Sequence, residues 1–165
     1  IDFPDVIAVR NELLPAGERE ENIGCNLNDT AWFEKVDATE GVVFFAAGVF
    51  YYFPQVQVKA LVQAMAKAFP GGRLVFDAAR KAAVKLMLKT WIKDAEIQDV
   101  NAYFSVVDAK RELSDWADGM RVSSRGYMLG YQSLDDPSVK RLYRLLAKIG
   151  DHMMKMQIVR IDFAH

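Results

Sequence analysis

Two stretches constrain this chain most, VVFFAA at 42–47 and RLVFDA at 73–78. Both are apolar nearly throughout rather than alternating, which is the pattern of strands covered on both faces. Between them, QVQVKALVQAMAKAF sets Val58, Leu61, Val62, Met65 and Phe69 at helical spacing. The turn residues Pro70, Gly71 and Gly72 then punctuate the chain before the next strand. Strand, helix, strand with unbroken apolar strands predicts a doubly wound α/β sheet.

The flanking segments extend the same alternation. FPDVIAVRNELLP puts Pro4 at a helix start and Pro15 past its end, with Val6, Ile7, Val9, Leu13 and Leu14 as its apolar face. ENIGCNL is a short strand, and NDTAWFEKV predicts one or two helical turns capped by Asn28 or Asp29. Helices are expected over 80–93, 108–116 and 135–150, the last opened by Asp135 or Asp136 and closed by Gly150. MRVSSRGYML and KMQIVRIDFA complete the strands. No repeat or linker divides the chain, so 1–165 reads as one domain.

Composition excludes several classes. A net charge of -1 gives no basic excess, so nucleic acid is not an expected partner. No apolar run approaches the ~18 residues of a membrane span, so no membrane association is expected. The single cysteine, Cys25, rules out an internal disulfide framework and points to a reducing, cytoplasmic compartment. His152, His165 and Cys25 lack partners at metal-ligand spacing, so no metal site is expected. Lys81, Lys85, Lys89 and Lys93, and likewise Arg141, Arg144 and Lys148, read as solvated helix faces. Met153, Met154 and Met156 read as core filler or a pocket wall. There is no G-x-S-x-G, G-x-G-x-x-G or Walker loop, and Gly71-Gly72 belongs to a turn.

In an open α/β sheet, ligands bind beyond the carboxyl ends of the strands. Those ends offer Asp2; Cys25, Asn26 and Leu27; Ala46, Ala47, Gly48 and Val49 with Tyr51 and Tyr52 behind; and Asp77, Ala78 and Ala79. A carboxylate at Asp2 can hold both hydroxyls of a ribose, although an aspartate before Pro4 is also an ordinary turn residue. Asn26 can meet an adenine edge with a donor and an acceptor, or satisfy local backbone. The small residues 46–48 let a ligand approach the backbone, or serve helix-to-sheet packing. Tyr51 and Tyr52 can line a pocket and attract a cation, or be half-buried core tyrosines.

Taken in order, IDFPDVI..R, IGCNLND..WF, VVFFAAGVFYYF and FPGGRLVFDA resemble class I S-adenosylmethionine-dependent methyltransferases. More narrowly, they resemble the leucine carboxyl methyltransferase family with its polyketide-type O-methyltransferases. The closing KMQIVRIDF resembles that fold's antiparallel last strand. The resemblance implies a Rossmann-like, mostly parallel sheet and S-adenosylmethionine as cofactor. It implies methyl transfer to a carboxylate or hydroxyl of a small molecule. It assigns Asp2 to the cofactor ribose, Asn26 and Leu27 to the adenine, and Ala47 and Gly48 to the cofactor. Tyr51 and Tyr52 fall in the substrate pocket, and no catalytic residue is assigned. Asn26 stands where the family usually has Asp, and Ala47 where it usually has Glu.

The family's glycine-rich loop and first strand would lie upstream of Ile1. The chain therefore reads as the C-terminal part of such an enzyme, a fragment expected to be inactive alone. The strand at 42–47 would then carry a bare apolar edge, prone to homo-oligomer formation. Two other readings stand beside this one: a nucleotide-binding oxidoreductase of the NAD(P) type, and a non-catalytic, self-associating Rossmann-like module.

Overall fold

The computed structural model describes residues 1–87, 89–90, 103–131 and 134–165, in two compact units, Ile1–Glu40 and Gly41–His165. In the first unit, α1 spans Pro4–Leu13, with Pro4 pre-set for the helical dihedral and Asp5 favouring the positive end of the helix dipole. Its last turn closes where the Leu14 N–H donates to the Arg10 carbonyl. The expected apolar face is buried only at Ile7; Val6, Val9, Leu13 and Leu14 are exposed.

The strand expected at ENIGCNL contracts to a single parallel bridge between Asp2 and Gly24. Two backbone bonds make it: Asp2 N–H to the Ile23 carbonyl at 3.1 Å and Cys25 N–H to the Asp2 carbonyl at 2.8 Å. Side-chain acceptors then take over the backbone. Asn26 Oδ1 accepts from the Asn28 N–H, and Asp29 Oδ1 accepts from the Ala31 N–H to cap a 3₁₀ helix, Thr30–Lys35. Such local bonds compete with a β ladder and end the strand early.

The second unit is built on four strands: β1 (Val43–Ala46), β2 (Arg73–Ala78), β3 (Arg121–Gly126) and β4 (Gln157–Asp162). Their order is β1-β2-β4-β3. β1 and β2 pair in parallel, and β4 pairs antiparallel to both β2 and β3. Three strands thus point one way and the last runs against them, which is the expected Rossmann-like class. Ala46, Ala78 and Gly126 end the co-directional strands, and Gln157 opens β4 between the last two.

One face of this sheet is core. Ala46, Leu74, Phe76, Ala78, Val122, Gln157, Val159 and Ile161 are all buried on it. Helix α2 (Gln55–Ala68) buries Val58, Leu61, Val62 and Met65, the expected stripe, and Phe69 follows it into the core. Gly71 then takes a φ of +74° to turn toward β2. An aromatic chain of Phe50, Phe76, Phe104 and Trp116, with ring centroids 5.1–6.2 Å apart, fills the interior. The opposite face differs from the two-sided burial that unbroken apolar strands predict. On it Phe45 is 77% exposed and Val43 is exposed, at the strand that forms the sheet edge. Arg73 and Arg160 on the same face both reach Asp162 Oδ1, at 2.7 and 2.8 Å.

Helix α3 covers Lys81–Met87; Leu88, residues 91–93 and the Lys93 assignment lie outside the described residues. Helix α4 (Ala109–Leu113) starts at Asp108, whose carboxylate accepts from the Arg111 N–H, while Glu112 returns to the Asp108 N–H. Helix α5 (Arg141–Lys148) begins six residues after the expected start at Asp135. Asp136 accepts from both the N–H and the hydroxyl of Ser138, fixing a turn where the helix would have started. Gly150 does not close α5 either: the chain continues through a π turn, Ile149–Met153. Arg144 leaves the expected solvated stripe to donate to the Asp135 and Asp136 carbonyls.

Candidate functional site

The chain beyond β1 must turn sharply, and Gly48 makes that turn at a φ of +68°. A Cβ there would meet nothing within 4 Å, so the dihedral rather than crowding calls for glycine. The Gly48 N–H donates to Asp77 Oδ1 at 2.6 Å, tying the end of β1 to the end of β2. A 3₁₀ turn, Phe50–Tyr52, follows and sends Phe50 and Tyr51 inward.

Tyr51 is 6% exposed, and its hydroxyl donates to the Asp77 carboxylate. Burial, reinforced by the neighbouring Asp77 charge and that hydrogen bond, pushes the hydroxyl far above the ordinary tyrosine range. The ring packs with Ala79, Val84 and Met156. Asp77 thus accepts from a backbone N–H and a phenol, and among the described residues no cation pairs with it.

These groups border a cavity of about 490 Å³ at the carboxyl ends of β1 and β2. Ala47, Gly48, Tyr51 and Tyr52 all line it, with Phe45, Val75, Met87 and Ile158 supplying apolar wall and Tyr127 a third phenol. The structure therefore brings four of the seven residues singled out in the sequence to one place. It also adds two that the sequence analysis did not select. Asp77 stood among the strand-end residues without a role; its signal was a lone carboxylate closing an otherwise apolar strand. Tyr127 had no local signal.

The other three residues belong to the first unit. Asp2 is exposed, with one oxygen accepting the Phe3 N–H at 2.8 Å. Asn26 is exposed, its carbonyl oxygen engaged by Asn28 and its amide N–H groups available. The Leu27 carbonyl accepts the Trp32 indole N–H at 3.2 Å. Burial raises the neighbouring Cys25 thiol above its usual range, which disfavours it as a nucleophile. Among the described residues no cluster of side chains could hold a metal ion, and no helix is long and apolar enough to cross a membrane.

No protein-family model matches the chain, and no curated protein matches it. Among solved structures it is similar to a crystal structure from Thermobifida fusca YX named "putative methyltransferase". The two share a TM-score of 0.63 at 12% identity, over 99% of this chain. The chain has a Rossmann-like α/β fold. It spans 62% of the length of the Thermobifida chain. The cavity above β1 and β2 lies where open α/β sheets bind ligands.

Proposed function

We propose that this chain is part of an S-adenosylmethionine-dependent O-methyltransferase acting on a hydroxyl or carboxylate of a small molecule. One observation carries the reading: on this fold a carboxylate, Asp77, with no ion-pair partner among the described residues, is held by Gly48 and Tyr51 in a tyrosine-lined cavity at the strand ends. A carboxylate beside aromatic faces is the donor set a sulfonium cation calls for. S-adenosylmethionine supplies a methyl group on such a sulfonium, open to in-line displacement by an oxygen nucleophile. The chain's own residues align and shield. Gly48 and Ala47 leave the backbone open to the cavity, Tyr51 and Asp77 fix its floor, and Phe45, Val75 and Ile158 supply apolar wall. In the first unit, the family resemblance gives Asp2 to the cofactor ribose and Asn26 and Leu27 to the adenine.

The antiparallel β4 seated between β2 and β3 favours this reading over an NAD(P)-type oxidoreductase. The exposed β1 edge is proposed as a self-pairing surface, and the compartment as cytoplasmic. Calorimetric titration of S-adenosylhomocysteine tests the function. Saturable binding that weakens on Asp2→Ala is expected, and absence of binding to the intact chain would refute the reading for it.

A further inference from the structure

We infer that the methyl acceptor is an uncharged aromatic hydroxyl compound, and that Asp77 receives its proton. The inference rests on the methyltransferase reading and narrows it to one acceptor class. Asp77 is the one formally charged side chain among the described residues lining the cavity. Its carboxylate is fixed in place by the Gly48 N–H at 2.6 Å and by the Tyr51 hydroxyl. A carboxylate has about four acceptor positions, so two bonds leave it able to accept another proton donor. No described Lys or Arg neutralises it.

An acceptor bearing its own carboxylate would bring a second negative charge into a largely apolar space, where like charges repel more strongly than in water. A neutral hydroxyl meets the opposite situation, because its O–H can donate to Asp77. The faces of Tyr52, Tyr127 and Phe45 suit a flat ring better than an aliphatic chain. The step balances. The acceptor oxygen forms a bond to the methyl carbon while the carbon–sulfur bond breaks and leaves its electron pair on sulfur. The hydroxyl proton passes to Asp77. A neutral phenol, a sulfonium and a carboxylate become an ether, a thioether and a carboxylic acid.

The test compares two probes of one ring size on the intact chain at neutral pH: a naphthol and the isosteric naphthoate. Affinities are read by equilibrium dialysis. The naphthol is expected to bind at least about tenfold more tightly than the naphthoate, the scale of one like-charge contact. Asp77→Asn keeps the shape and an acceptor for the Gly48 N–H, and is expected to reduce that preference to about threefold or less. Equal or tighter naphthoate binding would overturn the inference. So would a preference unchanged in Asp77→Asn. S-adenosylhomocysteine binding on the same samples separates the two claims. Its absence beside an intact naphthol preference sinks the methyltransferase reading, whereas its presence beside a naphthoate preference sinks the acceptor assignment alone.

Discussion

Replacing Tyr51 by phenylalanine should change how stability depends on alkaline pH. In the folded chain the Tyr51 hydroxyl is buried against the Asp77 carboxylate, so its ionisation is pushed far up. In the unfolded chain it titrates near the ordinary value of about 10. A group whose folded pKa is raised contributes stability that is complete below the unfolded pKa and is lost as pH rises above it. At about pH 11 the unfolded tyrosine gains roughly 1.4 kcal/mol by ionising while the folded one stays protonated. Because the hydroxyl borders an open cavity, screening brings the expected figure nearer about 1 kcal/mol. At about pH 9 Tyr51→Phe should be less stable by about 1–2 kcal/mol, the worth of a hydrogen bond to a carboxylate. By about pH 11 that gap should shrink by about 1 kcal/mol, because the variant has no phenol to ionise at position 51. Urea denaturation of both chains at the two pH values measures it. A gap that stays constant or widens would refute the burial of the phenol against Asp77.

The other predictions concern the backbone, the charged face and the sheet edge. Gly48→Ala should cost about 1–2 kcal/mol in denaturant melts, all of it from the left-handed dihedral, and Gly48→Asn should cost less; equal costs would contradict the +68° turn. Burial alone would raise the Asp162 carboxyl, but bonds from Arg160 and Arg73 overcome this and hold it below the usual range. Its contribution is therefore present above the unfolded value of about 4 and lost as pH falls through the folded one. Asp162→Asn should flatten the acid limb of the stability curve by about 1 kcal/mol or less, since both arginines are over 40% exposed. Phe45→Lys should lower the mass of the chain in light scattering if β1 edges pair between copies, and an unchanged mass would remove that edge as the pairing surface.

What the sequence revealed follows from how local the cause was. The β2 strand at RLVFDA, the α2 stripe and the closing strand were legible because hydrophobic runs and Gly-Pro punctuation carry their own period, while the antiparallel sense of the last came from the family resemblance. The late start of α5 was not, because Asp136 captures Ser138 in a turn that competes with helix at nearly equal local cost. The strand at ENIGCNL failed for the same reason, with Asn26 and Asp29 as the competing acceptors. At the site, Gly48, Tyr51 and Tyr52 were legible from the composition around one strand end. Asp77 was visible as a strand-end residue, but its importance lies in partners 26 and 29 positions away. No sequence window shows that Gly48 and Tyr51 converge on it. The openness of one sheet face was illegible as well, since unbroken apolar strands predict cover on both sides.

The antiparallel seat of β4 fixes the order in which the chain can mature. Arg73 on β2 finds Asp162 on β4 across 89 positions. Until that late strand arrives, β2 has a neighbour on one side only, and the site floor at Asp77 stands on an unfinished strand. During synthesis Gly48, Tyr51 and Asp77 all emerge long before β4 does. Contacts so distant in sequence close slowly, and an apolar strand left waiting is open to pairing with other chains. The cavity is thus encoded early and secured last, and truncations that remove β4 should abolish it while leaving every residue that lines β1 and β2 intact.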